Sequence, residues 1–160
     1  MLTLEKIDTK NVWALTRLRV CPEQEDFVAP NDLSIIEAYA TLAEGGYALP
    51  MGIYDRDTPV GFLMIGYDSP SPEASPAFLA NGAYSVWRLM IDREHQHKGY
   101  GRQALQLALD FIRTFPCGPA AVCYLSYEPE NTAAKALYVS FGFHENGERD
   151  GTEVVAVLEL

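Results

Sequence analysis

The feature that most constrains the fold is a glycine-containing turn between a predicted strand and a predicted helix. The apolar run YSVWRLMI ends at residue 91, and REHQHKGYGRQAL and an amphipathic stretch to residue 115 follow it. After CGP comes a second apolar run, AAVCYLSY. A strand, a right-handed crossover helix and a second strand form a parallel unit. The stretch therefore predicts parallel strand pairing around a helix over 101–115.

Periodic segments on the N-terminal side of this unit predict two helices and three strands. Alternating apolar residues indicate a strand over 2–7, and a helix over about 11–20 follows it. Asp32 or Ser34 opens a second helix. The runs YALPMGIYD and VGFLMIGYD then read as a β-hairpin, in which Pro50 indicates an edge position or an irregularity.

The C-terminal side completes a predicted fold of about seven strands and four helices. Asn131 caps a short helix that runs to about residue 141, and the strands FHENGER and EVVAVLEL close the chain. Residues 69–82 carry three prolines and form either a lid over a site or an exposed connection. No internal repeat or domain boundary is visible. We therefore expect one α/β domain over 1–160 with a mixed (α+β) sheet.

Charge and cysteine content restrict the partners and the compartment. The chain has twelve Lys and Arg and 22 Asp and Glu, which gives a net charge of −10. This charge disfavours nucleic acid and anionic membranes as partners and favours a cationic partner. The alternative is that the acidic surface only keeps the protein in solution. Three cysteines without metal-ligand spacing predict neither a disulfide framework nor a metal site. No apolar run reaches membrane-spanning length and no signal peptide is apparent, so we expect a soluble cytoplasmic protein.

The glycine turn has the composition of a pyrophosphate site. Gly99 and Gly101 lie where the strand has ended and the helix begins, and the unpaired N–H groups of a first helical turn attract phosphate. Lys98, Arg102 and His97 can screen its charge. The third glycine of a dinucleotide fingerprint and the P-loop pattern are both absent. The remaining alternative is that the glycines only make a tight turn.

A polar stripe on the last predicted helix supplies a second signal. Asn131, Lys135 and Tyr138 are spaced i, i+4 and i+7, which places an amide, an ammonium and a phenol along one face. Beside a phosphate-binding turn, such a stripe indicates a cofactor slot with a proton donor. On spacing alone, a half-buried core tyrosine is the favoured interpretation of Tyr138.

These two segments resemble the GNAT superfamily of acetyl-CoA-dependent N-acetyltransferases. Residues 96–101, QHKGYG, match the family's Q/R-x-x-G-x-G/A pyrophosphate motif, and residues 131–143 match its N-x-x-A-x-x-L-Y-x-x-x-G-F segment. The order of elements agrees along the chain. Within the superfamily, VWRLMIDREHQHKGYGRQAL, YLSYEPEN and EDFVAPNDLSIIEAY are most similar to bacterial spermine/spermidine acetyltransferases.

The resemblance implies how acetyl-CoA would bind. Two central parallel strands splay apart, and the pantetheine arm pairs with the first of them. The cofactor-binding residues it implies are Leu89, Met90, Ile91, Gln96, His97, Lys98, Gly99, Tyr100, Gly101, Arg102, Asn131, Ala134, Lys135 and Tyr138. Family members often carry glycine where this chain has His97. If that position requires positive φ, histidine is among the more tolerant residues.

The resemblance also implies a mechanism of direct attack in a ternary complex. Tyr138 would act as the general acid toward the leaving thiolate, and backbone N–H groups near Met90 and Ile91 would polarise the carbonyl. No residue stands out as the base; Glu128 through water, or an acidic loop residue, is the candidate. No metal is implied.

An acidic segment before the second helix is the candidate amine site. It contains Glu23, Glu25, Asp26 and Phe27, with Glu37 and Tyr39 following on the helix. Carboxylates and aromatic rings can hold a polycation. For each charge taken alone a solvated surface is the favoured interpretation, and it is the cluster together with the net charge and the resemblance that favours an amine site. We therefore predict a polyamine N-acetyltransferase. The alternatives are acetylation of another amine, such as an aminoglycoside, an amino acid or a protein N-terminus, and a non-catalytic acyl-CoA sensor. A homodimer is compatible with the family.

Overall fold

The protein was analysed as a computed structural model, which describes residues 1–69 and 81–160. Its described elements form one seven-stranded sheet in the order β1-β2-β3-β4-β5-β7-β6. The strands are β1 Leu2–Lys6, β2 Tyr47–Asp55, β3 Thr58–Asp68, β4 Ala83–Ile91, β5 Val122–Tyr127, β6 His144–Asp150 and β7 Glu153–Glu159. The helices are α1 Val12–Leu15, α2 Asn31–Ala43, α3 Tyr100–Ile112 and α4 Thr132–Val139. The predicted mixed sheet with four helices is confirmed. The proposed lid falls largely outside the described residues.

The β4–β5 pair is parallel and short. It is aligned only from Ala83 opposite Val122 to Ser85 opposite Tyr124, while β4 continues to pair with β3 as far as Ile91. The second half of β4 therefore has an edge that faces away from β3 and is not paired with β5. A β-bulge at Trp87 interrupts the β3–β4 ladder at the same level. The splayed parallel strands implied by the resemblance are present.

Two apolar clusters cover the two faces of the sheet. The larger includes the buried face of α3, made by Ala104, Leu105, Ala108, Leu109 and Ile112, together with Leu125 and Tyr127 of β5. The smaller joins Ala38 of α2 to Phe62, Met64 and Met90. The layers therefore lie on opposite faces of the sheet, with α3 on one side and α2 on the other.

The first helix is much shorter than predicted. Residues 11–20 were expected to be helical, but α1 ends at Leu15. The backbone of Arg19 is instead held at the end of β4: its N–H donates to Asp92 Oδ1 (2.9 Å), and its carbonyl accepts from Arg93 N–H (2.8 Å). These long-range bonds tie Arg19 to the end of β4 in place of a continued helix. Helix α2 likewise begins at Asn31, whose buried side chain donates to the Leu15 carbonyl (2.9 Å).

Pro50 occupies the position that its missing N–H requires. It lies inside β2 opposite Met64. The pairing of β1 with β2 stops at Lys6 opposite Met51, which is the residue after Pro50 in the sequence. There is therefore no β1 carbonyl opposite Pro50 to which an N–H group would donate, as expected for proline at the margin of a ladder.

Candidate active site

A cleft of about 1030 Å³ opens where β4 and β5 separate. Its walls come from the far half of β4, the turn before α3, the end of β5, the first part of α4, the β6–β7 turn and the 3₁₀ segment Pro22–Phe27. Elements distant in sequence meet here because both splayed strands end at the same edge of the sheet.

The turn before α3 places backbone donors at one end of the cleft. His97 and Gly99 both have positive φ (62° and 77°), and the Gln103 N–H makes the first bond of α3, to the Gly99 carbonyl (3.2 Å). The amides of Tyr100, Gly101 and Arg102 precede that bond and lack an i−4 partner. The backbone at His97 does adopt the left-handed conformation anticipated from the sequence. Tyr100 anchors the turn, because its hydroxyl donates to Asp55 Oδ2 (2.6 Å).

Glycine leaves this turn open. A Cβ built on Gly99 would meet nothing within 4 Å, and one on Gly101 would touch only Leu137 Cδ2 at 3.8 Å and Ile91 Cγ1 at 4.0 Å. The space beside the donors is therefore free of protein atoms, as a bound phosphate requires.

Tyr138 faces the cleft from α4. Its half-buried ring packs against Tyr127 (centroids 5.6 Å apart) and Phe143 (6.0 Å). Burial, together with the negative charge of Glu153 and the nearby Tyr127, raises the pKa of Tyr138 to about 12. The phenol therefore keeps its proton across the physiological range, as a proton donor must. Tyr138 therefore packs against the core and also lines the cleft.

The other end of the cleft is acidic. Five carboxylate residues line it, namely Glu25, Asp26, Glu128, Asp150 and Glu153. Thr152 Oγ1 donates to Glu128 Oε1 (2.6 Å), and Ser126 Oγ donates to Glu153 Oε2. The cation among these groups is Arg88, whose guanidinium is paired with Glu37 of α2 (2.8 Å). Arg88 is thereby neutralised, and the acidic walls determine the sign of the local field.

Comparison with known proteins agrees with this geometry. The family model described as the acetyltransferase (GNAT) family matches residues 6–143. The chain belongs to the GNAT family. It is therefore an acetyl-CoA-dependent N-acetyltransferase. Among curated relatives, it is 34% identical over 139 residues to the spermine/spermidine N(1)-acetyltransferase of Bacillus subtilis (strain 168), an alignment that covers 83% of this chain and 87% of that one.

Two further comparisons bear on the substrate and the fold. The N-alpha-acetyltransferase RimI of Mycobacterium tuberculosis is 39% identical over 66 residues, covering 41% of this chain and 38% of that relative. An acetyltransferase from Thermus thermophilus superposes with a TM-score of 0.71 at 21% identity, covering 100% of this chain and 97% of that one. The latter shows the shared GNAT fold.

The residues present fit acetyl-CoA. The free amides and open space at Gly99 and Gly101 would receive the pyrophosphate. The part of the β4 edge that is not paired with β5 can hydrogen-bond an extended arm, although the Ile91 carbonyl on it already accepts from Gln96 Nε2. Within residues 1–69 and 81–160, no group of three or more His, Cys, Asp or Glu side chains is placed to hold a metal ion. In the same residues, no helix has the length and apolarity to cross a membrane.

Most of the predicted site residues line this one cleft. They are Leu89, Met90, Ile91, Gln96, His97, Gly99, Tyr100, Gly101, Asn131, Ala134 and Tyr138 for the cofactor, with Glu25, Asp26, Phe27 and Glu128 at the acidic end. Asn131 has a second role, since its Oδ1 caps α4 by accepting from the Ala134 N–H (3.3 Å).

Three predicted cofactor cations lie outside the cleft lining. Lys98 Nζ donates to the Glu94 carbonyl (3.3 Å), and Arg102 donates to Ser140 Oγ (2.7 Å). Lys135 Nζ is paired with Glu145 Oε1 on β6 (2.7 Å). Helical spacing predicts that Lys135 lies on the surface of α4, but it does not predict which way the side chain points. The Lys135 side chain turns toward Glu145 of β6 and away from the cleft.

Three predicted amine-binding residues are also outside it. Glu23 is exposed on the 3₁₀ segment, Tyr39 is 76% exposed on α2, and Glu37 reaches the cleft only through Arg88. Sequence reasoning missed Arg88, Ser126 and Glu153. Strand alternation marks Ser126 as facing away from Leu125 and Tyr127, but only the β5–β7 pairing brings Glu153 beside it.

Gln96 connects the two ends of the cleft. Its Nε2 donates to Gln24 Oε1 (2.8 Å) and to the Ile91 carbonyl (3.0 Å), and the Gln24 oxygen also accepts from Cys21 N–H (3.2 Å). The first residue of the pyrophosphate motif thus uses its side chain to hold the acidic 3₁₀ segment against the end of β4.

Proposed function

We propose that this protein transfers an acetyl group from acetyl-CoA to a primary amine of a polyamine such as spermine or spermidine, by direct attack in a ternary complex. The observation that carries the proposal is a set of five carboxylate residues that line the cleft as two acidic walls from different parts of the chain, Glu25 and Asp26 from the 3₁₀ segment and Glu128, Asp150 and Glu153 from the end of β5 and the β6–β7 hairpin. A polyamine presents several ammonium groups along a flexible chain, so two separated acidic walls can each hold one. The similarity to a relative named for spermine and spermidine supports the same choice.

Each step is assigned to residues of this chain. Bound acetyl-CoA supplies an activated thioester. The turn at Gly99 and Gly101 holds the pyrophosphate. The Ile91 N–H stabilises negative charge on the carbonyl oxygen, because the alternation of the β3–β4 ladder turns the Met90 N–H toward β3 and leaves that of Ile91 on the free edge. Tyr138 gives its phenolic proton to the departing sulfur, since it is protonated and lines the cleft.

The Glu25/Asp26 wall should determine polyamine preference. We expect Glu25→Gln/Asp26→Asn to raise the KM for spermidine about fivefold to tenfold, since exposed ion pairs contribute at most about 1 kcal/mol each. The KM for propylamine should change less, and the spermidine effect should shrink at high salt because exposed charges are screened within about 8 Å at physiological ionic strength. Release of free thiol from acetyl-CoA measures both amines.

Glu23→Gln is the matched control, because Glu23 is exposed on the same 3₁₀ segment but does not line the cleft. It should leave both KM values unchanged. Equal KM changes for spermidine and propylamine in the double variant would contradict the polyamine assignment. A panel that includes a peptide with a free N-terminus tests the alternative favoured by the partial similarity to RimI.

Gln96 should affect the amine more than the cofactor. Gln96→Ala removes the bond to Gln24 and frees the acidic segment, so we expect the spermidine KM to rise about fivefold, as one hydrogen bond contributes about 1 kcal/mol. The acetyl-CoA dissociation constant, measured by calorimetry, should be nearly unchanged. Gln103→Ala, an exposed glutamine of α3, is the control. A loss of acetyl-CoA affinity with an unchanged spermidine KM would show that the Gln96 side chain serves the pyrophosphate instead.

A further inference from the structure

We infer that the Glu153 carboxylate, held in place by Ser126, accepts the proton that the amine nitrogen loses as it is acetylated. The inference deepens the proposed function and rests on its acetyl transfer to an amine, although not on that amine being a polyamine. It supplies the base that neither motif in the sequence contains.

Strand alternation places Ser126 on the face of the sheet that carries α2. Its neighbours Leu125 and Tyr127 are buried in the cluster that packs on α3, so the Ser126 side chain points the opposite way. Arg88 of β4 marks the same face, because it pairs with Glu37 of α2. Ser126 and Arg88 both line the cleft where their strands have separated. This face is the side from which an amine can approach an extended arm lying between β4 and β5.

Glu153 begins β7 directly beside Ser126. Residue 126 pairs with Val155 and residue 127 with Val154, so Glu153 lies at the end of the ladder, and its Oε2 accepts a hydrogen bond from Ser126 Oγ. The side chain is half-buried and lines the cleft. A carboxylate has lone pairs on both oxygens, and the serine bond uses one of them. Glu153 is therefore fixed in orientation and still able to accept a proton.

The five cleft carboxylates are not equivalent. Glu25, Asp26 and Asp150 are exposed, and Glu128 is held by Thr152 on the β6–β7 turn. Glu153 alone among the five is bound by a residue of β5 and has a charge that contributes to the raised pKa of Tyr138. A neutral phenol and an anchored carboxylate thus face one cleft. One of these groups can give a proton and the other can take one.

The proton and electron balance of the step is complete. The nitrogen lone pair forms the N–C bond with the thioester carbon, and the C–S bond breaks with its electrons going to sulfur. The sulfur takes the phenolic proton of Tyr138, and the Glu153 carboxylate takes the proton that the acylated nitrogen must lose. The products are an amide and free CoA thiol, and the proton gained by Glu153 restores Tyr138 through solvent.

The test is the pH dependence of Glu153→Gln. Glutamine keeps the shape and an acceptor for Ser126 but cannot take a proton. At pH 7, kcat/KM for spermidine and for propylamine should fall about 100-fold, the usual size of general base assistance. The deficit should shrink as pH rises, because hydroxide can then take the same proton from the acylated nitrogen in place of the carboxylate. Ser126→Ala should give a smaller loss, about tenfold, with the same dependence on pH.

A second readout does not require turnover. Removing the Glu153 charge should lower the pKa of Tyr138, measured by NMR of ring-labelled tyrosine with Tyr138→Phe to assign the signal. The control is Glu159→Gln, an exposed glutamate at the other end of β7, which should change neither measurement.

A ratio of parent to Glu153→Gln activity that is constant with pH would overturn the inference, because a structural role has no such dependence. So would a pH-dependent deficit in Glu128→Gln with none in Glu153→Gln. If the parent acetylates propylamine with the same kcat/KM as spermidine, the polyamine proposal fails while the test of Glu153 stands. If it acetylates no amine, both fail.

Discussion

Tyr138→Phe is expected to lower kcat by about two orders of magnitude, the usual loss when general acid catalysis is removed. The ring keeps its contacts with Tyr127 and Phe143, so packing and acetyl-CoA affinity should be preserved. Steady-state kinetics and calorimetry of the same preparation separate the two effects, because a group that acts only in the transition state lowers kcat without weakening cofactor binding. Equal kcat in parent and variant would reduce Tyr138 to a core residue.

The pH dependence of kcat is a second test of Tyr138 as the general acid. An acid catalyst is active when protonated, so activity should fall as pH rises through its pKa. Because burial and the Glu153 charge raise that pKa to about 12, the alkaline limb of kcat should lie well above the ordinary tyrosine value of about 10. A fall centred near pH 10 would indicate that Tyr138 does not donate the proton. Val139→Ala, an exposed neighbour on α4, serves as the control.

Gly101→Val is expected to weaken acetyl-CoA binding at least tenfold, about 1.4 kcal/mol. A Cβ at this position meets protein atoms only at 3.8 Å and beyond, so the branched side chain fills the space left for the pyrophosphate rather than displacing α3. Calorimetry measures the affinity, and thermal unfolding verifies the fold. Ala43→Val at the end of α2 is the control for placing a β-branched residue in an exposed helix. Unchanged affinity in a folded Gly101→Val protein would place the pyrophosphate elsewhere.

The cofactor half of the site could be predicted from the sequence because its determinants are local. Turn, helix start and glycines lie within residues 96–102, and Asn131 both begins α4 and caps it. Local spacing also located Tyr138 on the face that lines the cleft. Such features depend on hydrogen bonds and helical geometry over a few residues, which a sequence displays directly.

The amine half could be predicted only in part, since its contacts are long-range. Gln96 meets Gln24 across 72 positions, and Arg88 meets Glu37 across 51. Glu153 reads in sequence as the charged first residue of a strand, and only the antiparallel β5–β7 register brings it to Ser126. The same kind of contact accompanies the short α1, because Asp92 binds the Arg19 N–H, a partner that helical periodicity does not anticipate.

Part of the proposed amine end is built from segments outside the protein's core. The 3₁₀ segment Pro22–Phe27 has no buried residue, and β6 is exposed at six of its seven positions. Substitutions at such positions usually change the free energy of unfolding by less than about 0.5 kcal/mol. In these segments, the residues proposed to contact the amine are different from the residues whose packing stabilises the fold. New amine preferences can arise by drift in these walls without endangering the scaffold, which makes the architecture highly evolvable.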